Sequence, residues 1–228
     1  MIHFKKIKKK HRFIILGAIV LLLLIGAVIL FIKPKEILSL PVSLDDQTKQ
    51  TINQRIAKDL EMLKLFPKDY NNFMDLGNLE EQIGNAGQAI DYYHQAWETI
   101  PANSTPWLNI GNIYIKLGLH AKAEQAFFEA KKANPAYYFV YFNIAKLYED
   151  YLPAKADQIR TVYLEGLKNT SNDYQLLQPF TDYLIAIKNY SEALEYLNVL
   201  FQKIPAENKQ DVLNRIKEVE GLMKQPAT

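Results

Sequence analysis

A period of about 34 residues is the sequence feature that most constrains the fold of this chain. Eight positions between Phe73 and Pro101 recur one period later with the same or similar residue types. Glycine meets glycine twice, alanine meets alanine twice, proline meets proline, and the aromatic positions stay aromatic. Periods of about 20–50 residues are typical of stacked repeats, so the sequence predicts an array of similar units. The second set is Trp107, Ile110, Gly111, Gly118, Ala123, Phe127, Ala130 and Pro135.

Each unit is predicted to consist of two helices. From Trp107 to Leu117, apolar residues recur at spacings of three and four, which is the pattern of one helix face. Gly118 is expected to end this helix, because a C-terminal cap often needs a positive φ. A second apolar face follows, and Pro135 ends it, because the residue before a proline avoids the helical region.

The period continues beyond the second unit. Tyr141 and Ile144 lie one period after Trp107 and Ile110. Later positions of the pattern lie two residues further along the chain than two full periods would place them. The third unit is therefore predicted to contain a two-residue insertion within 149–154, where Pro153 would break the helix.

The second unit closely matches the tetratricopeptide-repeat (TPR) pattern. Its matching residues are Trp107-x-x-Ile110-Gly111-x-x-Tyr114, then Ala123-x-x-x-Phe127, then Pro135. The chain resembles this family across residues 70–207. The resemblance implies an all-α solenoid of about four helical hairpins, at about 70–103, 104–137, 138–173 and 174–206. The residues expected to pack the repeats together are Trp107, Gly111, Tyr114, Ala123, Phe127 and Tyr141.

Two flanking helices are predicted around an array that spans 67–206. The lead helix, 43–66, carries an apolar face that begins at Ile52, and Pro67 closes it. The segment 207–225 carries an apolar stripe among charged residues. A terminal repeat needs a polar outer cover for solubility, so this segment is predicted to be a capping helix. Residues 33–42 are expected to be a linker.

Residues 13–32 are predicted to form a transmembrane helix. They contain only Phe, Ile, Leu, Val, Ala and Gly. At about 1.5 Å per residue, a helix of this length spans roughly 30 Å, the thickness of the hydrocarbon core. A cleaved signal peptide is the first alternative, but its apolar run is about 7–15 residues and a small-residue cleavage site follows it. A buried helix is the second alternative.

The charges next to this segment predict its orientation. Residues 1–12 hold six cations and no acidic residue, whereas only Lys33 and Lys35 follow the apolar run closely. The positive-inside rule then makes residues 1–12 a basic cytoplasmic tail and puts residues 33–228 outside the cytoplasm. All 25 acidic residues and the other 21 cations lie after residue 32. The folded part lacks a basic excess, so no nucleic-acid partner is predicted.

The sequence lacks the residue patterns of the common catalytic and metal sites. It has no cysteine, no glycine-rich phosphate loop, no G-x-S-x-G and no H-E-x-x-H. His94 and His120 have no histidine or cysteine companion at a metal-binding spacing. We therefore expect no enzyme activity, no cofactor and no metal site.

The resemblance implies that the first helix of each pair lines a concave, partner-binding face. Met74, Leu108, Phe139 and Phe142 on this face favour apolar side chains in a protein or peptide partner. We expect Leu108 and Phe142 to be exposed and their neighbours Trp107 and Tyr141 to be buried. The alternative is that this face is only the exposed surface of the array. The candidate groove residues are Met74, Asn78, Leu108, Asn112, Ile115, Phe139, Phe142 and Lys146.

The sequence leads to one main hypothesis on function, a membrane-anchored TPR scaffold. It would bind a protein or peptide partner outside the cytoplasm, in envelope assembly or secretion. The first alternative is an anchored chaperone that binds unfolded clients. The second is a regulatory or substrate-presenting subunit of an enzyme or secretion complex. The sequence does not predict an oligomeric state.

Overall fold

The computed structural model describes residues 38–224, which form ten α-helices and two short 3-10 helices without any strand. The predicted tail 1–12 and transmembrane helix 13–32 lie outside these residues. None of the helices within 38–224 has the length and the apolar composition that crossing a membrane requires. The helices are α1 (Asp46–Leu65), α2 (Tyr70–Gln82), α3 (Ala86–Thr99), α4 (Thr105–Lys116), α5 (His120–Ala133), α6 (Tyr138–Tyr151), α7 (Ile159–Asn169), α8 (Tyr174–Ala186), α9 (Tyr190–Lys203) and α10 (Lys209–Met223).

Eight of these helices form four consecutive pairs. Helix α2 packs on α3, α4 on α5, α6 on α7 and α8 on α9, while α1 and α10 cover the two ends. The prediction of an all-α array of helical hairpins is confirmed for residues 38–224. We call the first helix of each pair its A helix (α2, α4, α6 and α8) and the second its B helix.

Helix α1 begins at Asp46 because the preceding residue caps it. The Asp45 carboxylate accepts hydrogen bonds from the Thr48 backbone nitrogen at 2.8 Å and from the Thr48 hydroxyl at 2.7 Å. Such a cap satisfies a backbone N–H group that has no partner within the helix. The helix therefore starts slightly later than the predicted segment 43–66.

Glycines let the two helices of a pair approach each other closely. A Cβ atom on Gly77 would lie 2.6 Å from the Tyr93 ring, and one on Gly111 would overlap the Phe127 ring. Tyr93 and Phe127 are both fully buried. Each glycine thus faces the large aromatic side chain of its own hairpin. This steric pairing is what the repeat period encodes in the first two repeats.

The third repeat differs at its turn. Helix α6 ends at Tyr151, and a 3-10 helix, Pro153–Gln158, precedes α7. Lys155 of this segment forms an ion pair with Glu124 of α5. The Tyr148 hydroxyl donates to the same Glu124 carboxylate at 2.6 Å. The added residues are therefore accommodated in a short ordered segment that is tied to the preceding repeat.

Part of the predicted linker is attached to the first repeat. We call residues 38–42 the strap. The Leu40 nitrogen donates to the Gly84 carbonyl at 2.8 Å, and the Gly87 nitrogen donates to the Leu38 carbonyl at 3.0 Å. The Leu38 and Leu40 side chains pack against buried residues of the first two repeats. Residues 38–42 are therefore part of the folded array rather than a free connection.

Candidate partner-binding face

Two depressions lie on the face that the A helices line. The first is between the A helices of repeats 1 and 2, and we call it the polar cleft. The second is between those of repeats 3 and 4, and we call it the aromatic shelf. The polar cleft is formed by Leu40, Pro41, Val42, Asn78, Glu81, Gln82 and Lys116, with Tyr93, Asn109, Asn112 and Ile115 beside them. The aromatic shelf is formed by Tyr138, Phe139, Phe142, Tyr174, Gln175, Gln178, Pro179 and Asp182.

The polar cleft has an apolar wall and a polar wall. The strap supplies the apolar wall. The cavity between the strap and the polar wall has a volume of about 650 Å³. On the polar wall, Lys116 Nζ lies 2.6 Å from Glu81 Oε1, which joins the A helices of the first two repeats. The Lys116 side chain is about half exposed, so this ion pair contributes little to stability. Its charges are accessible to a bound molecule.

A buried tyrosine supports the polar wall from below. The Tyr93 hydroxyl lies 2.7 Å from Asn78 Oδ1 and 3.2 Å from Glu81 Oε2, so its one proton is shared between two acceptors. Burial, followed by the negative charge of Glu81, raises the pKa of Tyr93 above its ordinary value. The hydroxyl therefore stays protonated at neutral pH and holds the Asn78 and Glu81 side chains in place.

The aromatic shelf is a cluster of partly exposed rings at the start of α6. The Phe139 and Phe142 rings are nearly parallel, with an interplanar angle of 17° and centroids 5.6 Å apart. Tyr138 meets the edge of Phe139 at 5.9 Å. Tyr174 of α8 borders the same depression, which has a volume of about 400 Å³. These rings are only partly buried, and an apolar side chain of a partner would cover the part that remains in solvent.

The helices that form the shelf also carry charged residues. Asp182 forms an ion pair with Arg215 of α10. Lys146 lies 2.8 Å from a Glu149 oxygen and 3.0 Å from an Asp150 oxygen, and the Glu149 contact is the main cause that raises the pKa of Lys146. The predicted groove residue Lys146 is therefore held by two acidic side chains of its own helix.

The structure brings most of the predicted groove residues onto the A-helix face, but in two groups. Asn78, Asn112 and Ile115 border the polar cleft, whereas Phe139 and Phe142 form the aromatic shelf. Two residues have little access to a partner. Met74 is partly buried against two core clusters, and Leu108 is only 3 % exposed.

The prediction that Leu108 is exposed is wrong. Leu108 belongs to the core cluster that includes Val140 and Tyr141 of the next repeat. Its position lies one period from that of Phe142, yet the neighbouring repeat covers it. The residue spacing within one helix does not show which of its side chains the next repeat covers. Leu108 is therefore a packing residue.

The residues predicted to pack the repeats are buried to different degrees. Gly111, Ala123, Phe127 and Tyr141 are buried, while Tyr114 is partly buried. Trp107, which the period predicts to lie in the core, is only partly buried.

Trp107 connects two core clusters rather than filling one of them. Its ring meets the edge of His94 at 4.6 Å and of Trp97 at 5.5 Å. Its indole nitrogen is buried, and no hydrogen-bond acceptor for it is found within residues 38–224.

Sequence reasoning missed the strap and two shelf residues. Leu38, Leu40 and Val42 alternate with other residues, which is the period of an extended segment and was the available signal. Tyr138 and Tyr174 occupy the first position of their A helices. An aromatic residue at the start of two successive A helices was the available signal that both helices contribute to one surface.

The fold of this chain is similar to that of known proteins. A tetratricopeptide-repeat family model matches residues 82–139, whereas no curated protein sequence matches the chain. A crystal structure of MamA aligns with a TM-score of 0.51 and 17 % identity, covering 75 % of this chain and 99 % of that chain. A thermophilic TPR protein of Thermus thermophilus aligns with a TM-score of 0.50 and 14 % identity, covering 74 % of this chain and 90 % of that one.

The two kinds of comparison agree with each other. At such low identities, the likeness to solved structures shows the fold alone. The family match covers the B helix of the first repeat and both helices of the second. These helices contain the Gly111–Phe127 packing that the repeat period encodes. The family match and the shared fold both show that these helical hairpins are similar to tetratricopeptide repeats.

Proposed function

We propose that this chain is a membrane-anchored scaffold that binds a segment of a partner protein on its A-helix face, outside the cytoplasm. The process that we propose is envelope assembly or secretion. The aromatic shelf is the observation that carries the binding proposal. Two stacked phenylalanine rings remain partly exposed there, although large apolar side chains are usually buried. An exposed apolar surface with a polar rim is typical of a protein-binding site.

The proposed role is binding without catalysis. The tetratricopeptide-repeat fold generally serves as an interaction scaffold, and stacked hairpins offer an extended surface to a partner. The polar cleft and the aromatic shelf together would contact a segment that runs along several repeats. Such a segment would be extended or helical, as in other peptide-recognition surfaces.

The proposed location rests on the sequence of residues 1–35. The uncharged apolar run 13–32 supports a transmembrane helix, and the six preceding cations support a cytoplasmic N-terminus. A C-terminal reporter that is active only after export should be active in cells. Reporter activity in the cytoplasm would contradict the proposed topology. Replacing the leading lysines and Arg12 with neutral residues should give mixed orientations.

Crosslinking in cells tests the binding face. A photoreactive amino acid at Phe142 should capture one partner in stoichiometric yield. The matched control is Gln125, which is exposed on the B helix α5 and should capture much less. Many unrelated proteins at Phe142 would favour the chaperone alternative. Equal yields at the two positions would contradict binding on the A-helix face.

A further inference from the structure

We propose that the aromatic shelf binds a basic segment of the partner, in which an aromatic or aliphatic side chain lies next to an arginine or lysine. This inference rests on the proposed function, because it specifies the chemistry of the partner on the same face. Three features of the shelf carry it. They are its partly exposed rings, the presence of a carboxylate without a lysine or arginine in its described lining, and an arginine of this chain that already contacts this carboxylate.

The rings suit a partner side chain that is apolar, cationic or both. Phe139 and Phe142 stack with centroids 5.6 Å apart, and Tyr138 lies 5.9 Å from Phe139. An aromatic face is negative at its centre, so it attracts a guanidinium or ammonium group as well as an apolar side chain. Arginine also stacks its planar group on aromatic faces. Among the described residues, no lysine or arginine lines the shelf itself.

The charges around the shelf favour a cation over an anion. In the described part of the chain, the lining of the shelf contains one carboxylate, Asp182, and no lysine or arginine. After burial, the negative charges of Glu149, Asp182 and Asp150 raise the pKa of Tyr163. Asp173 acts in the same way on Tyr138, again after burial. The Asp182 carboxylate would repel a negative partner, whereas a basic partner would be attracted to it.

Arg215 shows how such a cation could be held. Its Nη2 donates to Asp182 Oδ1, which brings a guanidinium group of α10 to the edge of the shelf. The Asp182 side chain is 55 % exposed. A carboxylate can accept several charge-assisted hydrogen bonds, so a second cation can bind this exposed carboxylate or replace Arg215.

The polar cleft differs from the shelf in its carboxylate and in its apolar wall. Its carboxylate, Glu81, is already held by Lys116 at 2.6 Å and by the Tyr93 hydroxyl at 3.2 Å. Its apolar wall consists of aliphatic strap residues and proline, without an aromatic ring. The combination of partly exposed rings and a largely exposed carboxylate is therefore a property of the shelf. We expect the preference for a basic segment to arise there.

The test uses the full chain in lipid nanodiscs and three fluorescent peptides on one Gly-Ser framework. The first carries a central Trp-Arg-Leu-Arg, the second has glutamate in place of both arginines, and the third has glycine in place of Trp and Leu. Fluorescence anisotropy should show the first peptide binding at least about tenfold more tightly than either of the others. The advantage over the glutamate peptide should shrink between about 50 and about 300 mM salt, because salt screens exposed charges.

Two variants with opposite expected effects on peptide binding distinguish this proposal from a general disruption of the fold. Asp182→Asn should weaken binding of the Trp-Arg peptide about fivefold, because it removes the exposed carboxylate. Arg215→Gln should instead tighten binding about twofold to threefold, because it removes the competing cation. The matched control is Lys217→Gln, which removes one charge from the exposed surface of the same helix. Its effect on binding should be small.

Each outcome has a defined meaning. Equal binding of the arginine and glutamate peptides would overturn the proposal but leave the binding face intact. Weaker binding with Arg215→Gln as well as with Asp182→Asn would also overturn it, since both changes would then act through the structure. If none of the peptides binds and crosslinking at Phe142 captures no partner, these results contradict the proposed function itself.

Discussion

The polar cleft lies between the A helices of repeats 1 and 2 and the aromatic shelf between those of repeats 3 and 4, yet the two regions present different chemistry. Asn78 and Asn112 lie one period apart and border the cleft, whereas Asp182 is at the corresponding position in the fourth repeat. Thr105 in the second repeat corresponds to Phe139 in the third. The period therefore determines which positions face a partner, and the side chains at those positions determine what is bound there.

The two regions also differ in how the protein supports them. The cleft is supported by hydrogen bonds, because Tyr93, Asn78 and Glu81 hold one another and the strap closes one side. The shelf is supported by packing, because Phe139 and Phe142 rest against the main core. Loss of a hydrogen bond should therefore affect the cleft most, and loss of a ring should affect the shelf most.

The largest expected effect on stability distinguishes core from shelf. Leu108→Ala should lower the free energy of unfolding by about 2–5 kcal/mol, because the side chain is almost completely buried. Phe142→Ala, one period later, should cost about 1–2 kcal/mol, because its ring is partly in solvent before the change. Urea unfolding of fragment 38–228, followed by circular dichroism, measures both values. Equal costs would mean that Phe142 is a core residue and that the shelf is not a surface.

The next effect concerns the support of the cleft. Gly77→Ala should cost about 1–3 kcal/mol, because its Cβ would lie 2.6 Å from the Tyr93 ring and would force it to shift. Nuclear magnetic resonance should show changes at Asn78 and Glu81, with little change at Phe142. Gly221→Ala is the control, since within residues 38–224 its Cβ would meet nothing within 4 Å beyond its chain neighbours and its own helix backbone, and alanine favours a helix. A change of equal size at the shelf would mean that the two regions are not independent.

A smaller effect tests the strap. Gly84 and Gly118 both have positive φ, so alanine at either position should cost about 1–2 kcal/mol. At Gly84 the new Cβ would also lie 2.7 Å from the Leu40 carbonyl oxygen, whereas at Gly118 it would meet no described residue within 4 Å other than its two chain neighbours. Gly84→Ala should therefore cost more and speed hydrogen exchange at the Leu40 amide. If both variants leave that amide protected, the strap is not held by this turn.

The smallest effect is a dependence on pH. The pKa of Tyr93 is raised in the folded protein, so its contribution to stability is complete below the ordinary tyrosine value, about 10, and falls as pH rises above it. The loss for one such group approaches about 1.4 kcal/mol per pH unit. Tyr93→Phe should make the decline between about pH 10 and 11 shallower. An unchanged slope would mean that Tyr93 titrates normally in the fold.

Much of the fold follows from the sequence because its regularities are local. The repeat period, the turn glycines and the prolines predict the paired helices, and the A and B helices are found in that order along the chain. The position of the added residues in the third repeat follows from the shift of the pattern and from Pro153. These features act through backbone conformation and through glycine–aromatic packing. Both depend on particular residue types at fixed spacings, which can be read in the sequence.

The candidate site is less predictable because it depends on contacts between repeats. Leu108 and Phe142 occupy corresponding positions, but only Leu108 is fully covered by its neighbours. The strap is held mainly by backbone hydrogen bonds to Gly84 and Gly87, and these do not depend on the identity of its side chains. The ion pair of Asp182 with Arg215 joins residues from different helices. None of these contacts follows from the period alone.

The most direct test of the central claim is the affinity of the captured partner for three alanine variants of the full chain. Phe142→Ala should weaken binding by more than about 1 kcal/mol, as expected for an anchor residue. Asn112→Ala at the cleft should weaken it less, and Gln125→Ala on the B helix α5 should leave it unchanged. An unchanged affinity for Phe142→Ala, or an equal loss for Gln125→Ala, would contradict a partner-binding surface on the A-helix face.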